Sequence, residues 1–264
     1  MTRAITSTSN DAPPVRCRQR HGRSLPETGA VDLSVMRIDG APAEVTATDI
    51  VRFLRESARL VERWAPELDR LDAALGDADH GENMLSGFQA VIRSTADDPP
   101  RDIGELLRRV GHTLISSVGG ASGPLYGTAF IEAGIVLHGA VAADAPALAR
   151  AVEAAAGGLA RRGRCGPGDK TIYDALRPAA DAFRDVAADG GSIGSAVGRA
   201  ARAARHGALA TTPLVARRGL ALRLGERSRG HQDPGATSCA ILFRACLSVA
   251  RADRRPRGPD EATA

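Results

Sequence analysis

The 264-residue sequence has few aromatic residues, and its basic residues do not group with them. Aromatic residues make up 3% of the chain, and no stretch combines clustered basic residues with several aromatics, as nucleic-acid surfaces commonly do. The net charge of +4 comes from basic residues that are mostly arginine, spread along the chain and richest at both termini. We therefore expect no direct nucleic-acid partner.

Cysteine and long apolar runs are also scarce. The four cysteines, at positions 17, 165, 239 and 246, have neither zinc-site spacing nor the density of a disulfide scaffold, which predicts reduced thiols in a cytoplasmic protein. No apolar run approaches the ~20 residues of a membrane span, and the segment before Val51 lacks the apolar core of a signal peptide. These features predict that no membrane is involved. The Gly-x-x-x-x-Gly-Lys-Ser/Thr motif is missing too, which argues against a P-loop nucleotide site.

One short stretch, Leu71–Met84, concentrates the charged chemistry that the chain does contain. It carries Asp72, Asp77 and Asp79, followed by His80 and Asn83, around two glycines. Carboxylates this close repel one another, and a hard divalent cation such as Mg²⁺ relieves that repulsion while leaving room for phosphate ligands. A lone Asp-x-Asp would usually be a solvated helix cap, but this stretch is richer than that.

Three further polar, glycine-rich segments each precede an apolar-periodic helix: 119–128, 166–171 and 225–237. A turn of small residues at a helix N-terminus can direct backbone N–H groups at an anion. Taken singly, each segment could be no more than a tight connection. Together with the acidic stretch, they indicate a nucleotide site.

The motifs GDADHG, GGASGPLYGT, GDKT, LGERS and GHQDPGATS occur in the order found in one known family. Over about Glu44 to Ala250 the chain resembles the ADP-binding L subunit of dihydroxyacetone kinase, the DhaL or DAK2 domain. The resemblance implies a barrel of about eight mostly antiparallel helices with the nucleotide at one end. It also implies two Mg²⁺ ions on Asp72, Asp77 and Asp79, and ADP or ATP on the remaining motif residues, which are His80, Gly81, Glu82, Asn83, Ala121, Ser122, Gly168, Arg177, Leu220, Asp233, Pro234 and Gly235.

Two of these positions depart from the family pattern. An arginine that is expected to contact phosphate is replaced by Leu220, and a position that is commonly apolar is occupied by Arg177. A charge-assisted arginine–phosphate contact is strong in a closed site, and leucine cannot supply it. Nucleotide binding could therefore survive while phosphoryl transfer is impaired.

The resemblance implies half of an enzyme. The chain would hold Mg-ADP or Mg-ATP and transfer a phosphoryl group to dihydroxyacetone, or a related short ketose, bound by a separate K subunit. An M subunit would rephosphorylate the ADP in one branch of the family, whereas ATP exchanges in the other, and the sequence does not choose between them. It does not fix the oligomeric state either, so a homodimer stays open.

The alternative function is that of a weakly catalytic, ADP-binding subunit that controls a transcription regulator. A related fatty-acid kinase module is disfavoured, because its glycine turn usually contains Asn-Ser-Gly.

Apolar residues recur at helical spacing from Thr46 onward, with short connections and no convincing strand pattern, which predicts an all-α bundle. We expect a disordered N-terminal extension over residues 1–43, one domain over 44–250 and a disordered tail over 251–264. The first helix should end or kink at Pro66. The later helices are predicted at 84–92, 103–118, 126–141, 146–160, 172–188, 193–210 and 236–251.

Overall fold

The computed structural model describes residues 43–252. The predicted extension and tail fall almost wholly outside the described residues, as does Cys17, so those predictions and the domain limits stay untested. The described part forms two two-residue strands, eight α-helices and one 3₁₀ segment. In chain order they are β1 (Val45–Thr46), α1 (Ala47–Asp72), α2 (His80–Ser94), α3 (Ile103–Ser117), α4 (Ser122–Val136), β2 (Ala142–Ala143), α5 (Ala145–Gly163), α6 (Tyr173–Ala188), α7 (Ile193–Ala210), the 3₁₀ segment (Leu220–Ser228) and α8 (Pro234–Ala252).

The helices pack in a closed ring. Each helix contacts the next one along the chain, and α8 returns to contact α1. Most connections between consecutive helices are short, and the longer α7–α8 connection returns to the end of α7, where the Gly230 amide donates to the Thr212 carbonyl. Consecutive helices are therefore antiparallel, and the α1–α2, α3–α4, α5–α6 and α7–α8 connections all lie at one end. The four polar segments singled out above lie in these four connections or run from them into the first turns of the helices that follow. The predicted all-α bundle is confirmed.

Small residues let neighbouring helices approach closely, most clearly between α3 and α4. A Cβ added at Gly111 would lie 2.6 Å from the Gly127 carbonyl oxygen, and one added at Gly134 would lie 2.6 Å from that of Gly104. Further along the ring, alanines dominate the buried face of α7. The ring interior is apolar and contains a partly open cavity of about 260 Å³, whose lining includes Phe130 and Phe183.

The first helix differs from the prediction, because it continues through Pro66 to Asp72. Proline removes the hydrogen bond to the carbonyl of Glu62, four residues earlier. Both residues are exposed, so water can satisfy that carbonyl. The predicted helix end at Pro66 was wrong, and the extra residues place Asp69 and Asp72 on the last turn of α1. The prediction for α4 was also displaced, since this helix begins at Ser122 rather than Tyr126.

The ends of the ring differ in how their helix N-termini are capped. At the far end, Asp102, Asp144 and Ser192 each cap their own helix with a side-chain oxygen. At the end that carries the polar segments, α4 begins without a side-chain cap from its own N-cap residue. Free N–H groups at a helix N-terminus favour anions. The polar end is therefore the one suited to hold phosphate.

Candidate nucleotide and metal site

The acidic cluster lies in the connection between α1 and α2. One carboxylate oxygen from each of Asp72, Asp77 and Asp79 lies within 4.8 Å of the others. Asp72 is buried, whereas the other two are exposed. The backbone turns back at Ala78, which has a φ of 69°, so that the Asp79 amide donates to Asp72 Oδ2 at 3.2 Å. A Cβ at Gly76 would come within 2.4 Å of Asp72 Oδ1, so a larger residue here would displace the Asp72 carboxylate.

The electrostatics of this cluster suit a divalent cation. Burial raises the pKa of Asp72, the Asp79 amide opposes that shift, and the neighbouring Asp77 carboxylate raises the pKa further. No lysine or arginine of residues 43–252 forms an ion pair with any of the three aspartates. Oxygen ligands converging without a cationic partner match the donor set that Mg²⁺ prefers. The three predicted metal ligands are thus brought together and fit the ion.

Asp69 caps α2 from the preceding helix, a contact that the sequence analysis missed. Its Oδ1 accepts hydrogen bonds from the amides of Gly81 at 2.6 Å and Glu82 at 3.2 Å. Gly81 and Glu82 were predicted to bind nucleotide, and in this structure their amides donate to a protein carboxylate. A Cβ at Gly81 would lie 2.1 Å from the Ala65 carbonyl oxygen, so the start of α2 lies directly on α1. The only sequence signal was that Asp69 precedes Asp72 by three residues on one helix.

His80 links the acidic cluster to the start of α4. Its Nδ1 lies 3.2 Å from Ser122 Oγ, and its Nε2 lies 2.9 Å from Ser238 Oγ. Ser238 Oγ in turn lies 2.7 Å from the hydroxyl of Tyr126. Burial lowers the pKa of His80 to about 4, so the ring is neutral at pH 7 and has one donor and one acceptor nitrogen. A continuous hydrogen-bonded chain therefore runs from Tyr126 to Ser122.

The start of α4 meets the acidic loop through a tight turn. Gly120 has a φ of 63°, and Ala121 and Ser122 follow at the uncapped helix N-terminus. A Cβ at Gly119 would lie 2.5 Å from Asn83 Oδ1, which places the Asn83 side chain against this turn. The predicted residues Asn83, Ala121 and Ser122 are thus brought to one place.

The α5–α6 and α7–α8 connections form a second pair of neighbouring loops. The Asp174 carboxylate accepts hydrogen bonds from the amides of Gly168 and Thr171, which fixes the first loop. Asp233 caps α8 by accepting from the Ala236 amide at 2.7 Å. A Cβ at Gly235 would lie 3.5 Å from Ile172, so Gly235 faces the end of the first loop. Gly168, Asp233, Pro234 and Gly235 therefore lie on adjoining loops.

Asp233 is a buried carboxylic acid with a raised pKa. Burial raises its pKa to about 7, against the lowering effects of the Ala236 amide and of Lys170. Its own amide donates to Thr211 Oγ1 at 2.9 Å. Lys170 was not predicted as a site residue, yet its side chain is among the largest that are fully buried.

Arg177 is held by carboxylates on the flank of the ring. Its guanidinium donates to both oxygens of Glu153, at 2.7 and 2.6 Å, and to both oxygens of Asp181, at 3.0 and 2.7 Å. These contacts raise the pKa of Arg177 further above its usual value, Glu153 contributing most. The structure joins Arg177 to this ion-pair network between α5 and α6.

Leu220 is the first residue of the 3₁₀ segment, and 47% of its surface is exposed. The segment covers the acidic loop through other residues, since Ala221 and Leu224 pack with Leu75. Arg218, two residues before Leu220, donates to the Arg164 carbonyl at 2.6 Å and lies 3.6 Å from Asp169. Arg218, the charged residue nearest to position 220 along the chain, is therefore already paired with other protein groups.

Within the described residues, no helix is long and apolar enough to cross a membrane.

Comparison with known proteins gives a consistent family. The DAK2 domain model matches residues 74–248. The PEP-dependent dihydroxyacetone kinase ADP-binding subunit DhaL of Escherichia coli is 38% identical over 207 residues, which cover 78% of this chain and 99% of that protein. The L-erythrulose 1-kinase of Mycolicibacterium smegmatis is 38% identical over 201 residues, 75% of this chain and 35% of that protein.

A solved structure shares the fold. The dihydroxyacetone kinase of C. freundii superposes with a TM-score of 0.60 at 24% identity, over 87% of this chain. This chain spans only 38% of that solved kinase chain. The same kinase has been solved with AMP-PNP and Mg²⁺. On the family match and the identities above, the chain belongs to the DAK2 domain family, among its DhaL subunits.

Proposed function

We propose that this chain is the nucleotide-binding subunit of a kinase for dihydroxyacetone or a related short ketose. It would hold Mg-ADP or Mg-ATP and pass the phosphoryl group to substrate that a separate K subunit binds. One observation carries the proposal: His80 joins an unpaired acidic cluster to the uncapped N-terminus of α4. The names of the relatives, which are an ADP-binding kinase subunit and an erythrulose kinase, support it.

Each group in the site has a distinct task. Asp72, Asp77 and Asp79 would hold two Mg²⁺ ions, which when bound offset the charge of the phosphates and of the group in transfer. The Ser122 hydroxyl and the first amides of α4 would donate to phosphate oxygens. Neutral His80 would fix the direction of that hydroxyl, because its Nδ1 lies within hydrogen-bond distance of it. The Gly168 and Asp233–Gly235 loops would hold the base and ribose.

Reconstitution tests this proposal. The purified chain is mixed with a dihydroxyacetone-binding K subunit, and triose phosphate is followed with ATP in one arm and with a phosphotransferase M subunit in the other. We expect product in one arm, and only when Mg²⁺ is present. A chain that binds Mg-ADP but yields no product in either arm would refute the kinase proposal and support the regulatory alternative.

The regulatory alternative rests on Leu220. An exposed leucine occupies the position where the family pattern has an arginine, and a lost charged donor weakens transition-state stabilisation. Leu220→Arg should raise the rate of phosphoryl transfer by about tenfold or more, with a smaller change in ADP affinity. Leu222→Arg is the matched control, since Leu222 is equally apolar and 54% exposed. Equal rates for the parent and both variants would show that position 220 does not face the phosphates.

A further inference from the structure

Lys170 is the only lysine in the chain, whose other 34 basic residues are all arginine. It is 1% exposed and has a φ of 61°, a backbone conformation that side-chain-bearing residues rarely adopt. A buried ammonium on a strained backbone costs folding free energy unless its contacts compensate. The nucleotide and metal contacts proposed above do not use this residue.

The Lys170 ammonium joins the two connections that flank the proposed base and ribose position. Its Nζ donates to the carbonyl of Thr211, just after α7, at 2.7 Å, and to the carbonyl of His231, just before α8. Two backbone hydrogen bonds accompany these contacts of Lys170. The Gly230 amide donates to the Thr212 carbonyl at 2.8 Å, and the Arg217 amide donates to the Asp169 carbonyl at 3.0 Å. The ammonium is thus a fully buried side-chain link between the 166–171 loop and the loop that carries Asp233, in addition to the exposed contact of Arg218 with Asp169.

The chemistry of this link suits a lysine better than an arginine. An ammonium is compact and directs three N–H groups tetrahedrally, so it can reach two carbonyls from different segments in a fully buried space. A guanidinium is a wide planar fork that would have to push the segments apart. Asp233 and Asp174 lie close enough to attract the charge, which opposes the effect of burial on the Lys170 pKa.

We propose that Lys170 is a positioning residue for the nucleotide, whose ammonium clamps the Asp233–Gly235 loop against the 166–171 loop. This inference rests on the proposed function. The clamp sets the separation of Gly168 and Gly235, which would hold the base and ribose from two sides. It is separate from the acidic cluster, which lies between α1 and α2.

The test compares Lys170→Met and Lys170→Arg with the parent and with Arg93→Met. The control removes one exposed positive charge at the end of α2 remote from the site. Calorimetry measures binding of Mn²⁺ alone and of Mg-ADP. We expect both Lys170 variants to bind Mn²⁺ within about twofold of the parent and Mg-ADP about tenfold or more weakly. The control should match the parent for both ligands.

The outcomes separate the two claims. If the parent does not bind Mg-ADP, the proposed function fails and the clamp fails with it. If the parent binds but Lys170→Met binds equally well, the clamp alone is refuted. Full affinity in Lys170→Arg would refute the requirement for an ammonium.

A measurement on the parent keeps the proposal testable if the variants do not fold. Because the chain has one lysine, ¹⁵N-lysine labelling gives a single side-chain ammonium resonance. We expect this resonance to be visible at pH 7, since burial slows proton exchange, and to shift when Mg-ADP is added. The proposal would be overturned if the ammonium signal is lost to rapid exchange. It would also be overturned if the chemical shift of this signal does not change when Mg-ADP is added.

Discussion

His80 and Ser122 are 42 positions apart in the sequence, yet Nδ1 of the first lies 3.2 Å from Oγ of the second. Since His80 directly follows Asp79, this contact fixes the acidic loop to the N-terminus of α4. The opposite nitrogen of the ring is held by Ser238 on α8. The N-terminal parts of three helices, α2, α4 and α8, therefore meet at one imidazole, and the geometry of the phosphate position depends on it.

Ser238→Ala should destabilise the protein and weaken nucleotide binding. Ser238 Oγ lies 2.9 Å from His80 Nε2 and 2.7 Å from the Tyr126 hydroxyl, so its loss leaves two buried polar groups without this partner. We expect the free energy of unfolding, measured in urea, to fall by about 1 to 3 kcal/mol. Ser116→Ala, at an exposed position on α3, should change it by less than about 0.5 kcal/mol. Equal losses in both variants would contradict this account.

Gly111→Ala should be far more harmful than Gly157→Ala, although both glycines lie inside helices. The new methyl at position 111 would meet the backbone of α4 at 2.6 Å, whereas at position 157 it would meet only the end of the Arg161 side chain at 3.3 Å. We expect a loss of about 2 kcal/mol or more for the first and a gain of up to about 1 kcal/mol for the second. Thermal melts of both variants check this, and similar melting temperatures would argue against close α3–α4 packing.

Asp233 should make stability depend on pH in the direction opposite to an ordinary paired aspartate. Its pKa in the folded protein is about 7, against an ordinary value of 3.8. Between these values the folded state holds a proton that the unfolded state releases, so this contribution to stability is present at low pH and is lost as pH rises toward 7. The size is roughly 4 kcal/mol at most.

The comparison with Asp233→Asn isolates this effect, because the amide oxygen can still accept from Ala236 but does not titrate. Urea unfolding of both proteins at pH 5 and pH 8 is the measurement. We expect the parent to gain stability relative to the variant at pH 5. A stability difference that stays constant, or that favours the parent at pH 8, would show that Asp233 is ionised throughout.

Arg177→Met separates two roles for this arginine. A nucleotide contact would make the variant bind Mg-ADP more weakly, whereas the observed ion pairs with Glu153 and Asp181 support stability only. Because both carboxylates are more than two-fifths exposed, we expect a loss of about 1 kcal/mol in unfolding free energy and an ADP dissociation constant within about twofold of the parent. Calorimetry with Mg-ADP decides, and a tenfold weaker affinity would restore the nucleotide role.

Much of this fold could be predicted from local signals. The α7 helix was predicted at its observed limits, and α6 and α3 within one residue, because apolar periodicity marks all three and a side-chain cap marks the starts of α7 and α3. The failures came from tertiary effects. The α1 helix continues through Pro66, where both Pro66 and Glu62 are exposed, and α4 begins four residues earlier than predicted, at Ser122, whose side chain contacts His80 on another helix. The 3₁₀ segment is bent at Gly225, whose φ is 54°, so its apolar residues do not follow one helical period that could be recognised in the sequence.

The site residues likewise divide into those that local sequence signals predicted and those that they missed. Asp72, Asp77 and Asp79 are neighbours in the sequence, so their meeting could be predicted from the turn glycines. Asp69 and Lys170 were missed because their partners, the start of α2 and the carbonyls of Thr211 and His231, are backbone groups on other segments. Backbone partners leave no pattern in side-chain chemistry.

The central claim is that the acidic cluster and the α4 N-terminus form one Mg-nucleotide site. Calorimetric titration of ADP into the chain, with Mg²⁺ and without it, tests this most directly, with Asp77→Ala as the variant and Asp97→Ala as an exposed control in the α2–α3 connection. We predict ADP binding that requires Mg²⁺, is kept by Asp97→Ala and is lost in Asp77→Ala. ADP binding that is equally tight without Mg²⁺, or unchanged in Asp77→Ala, would contradict the account.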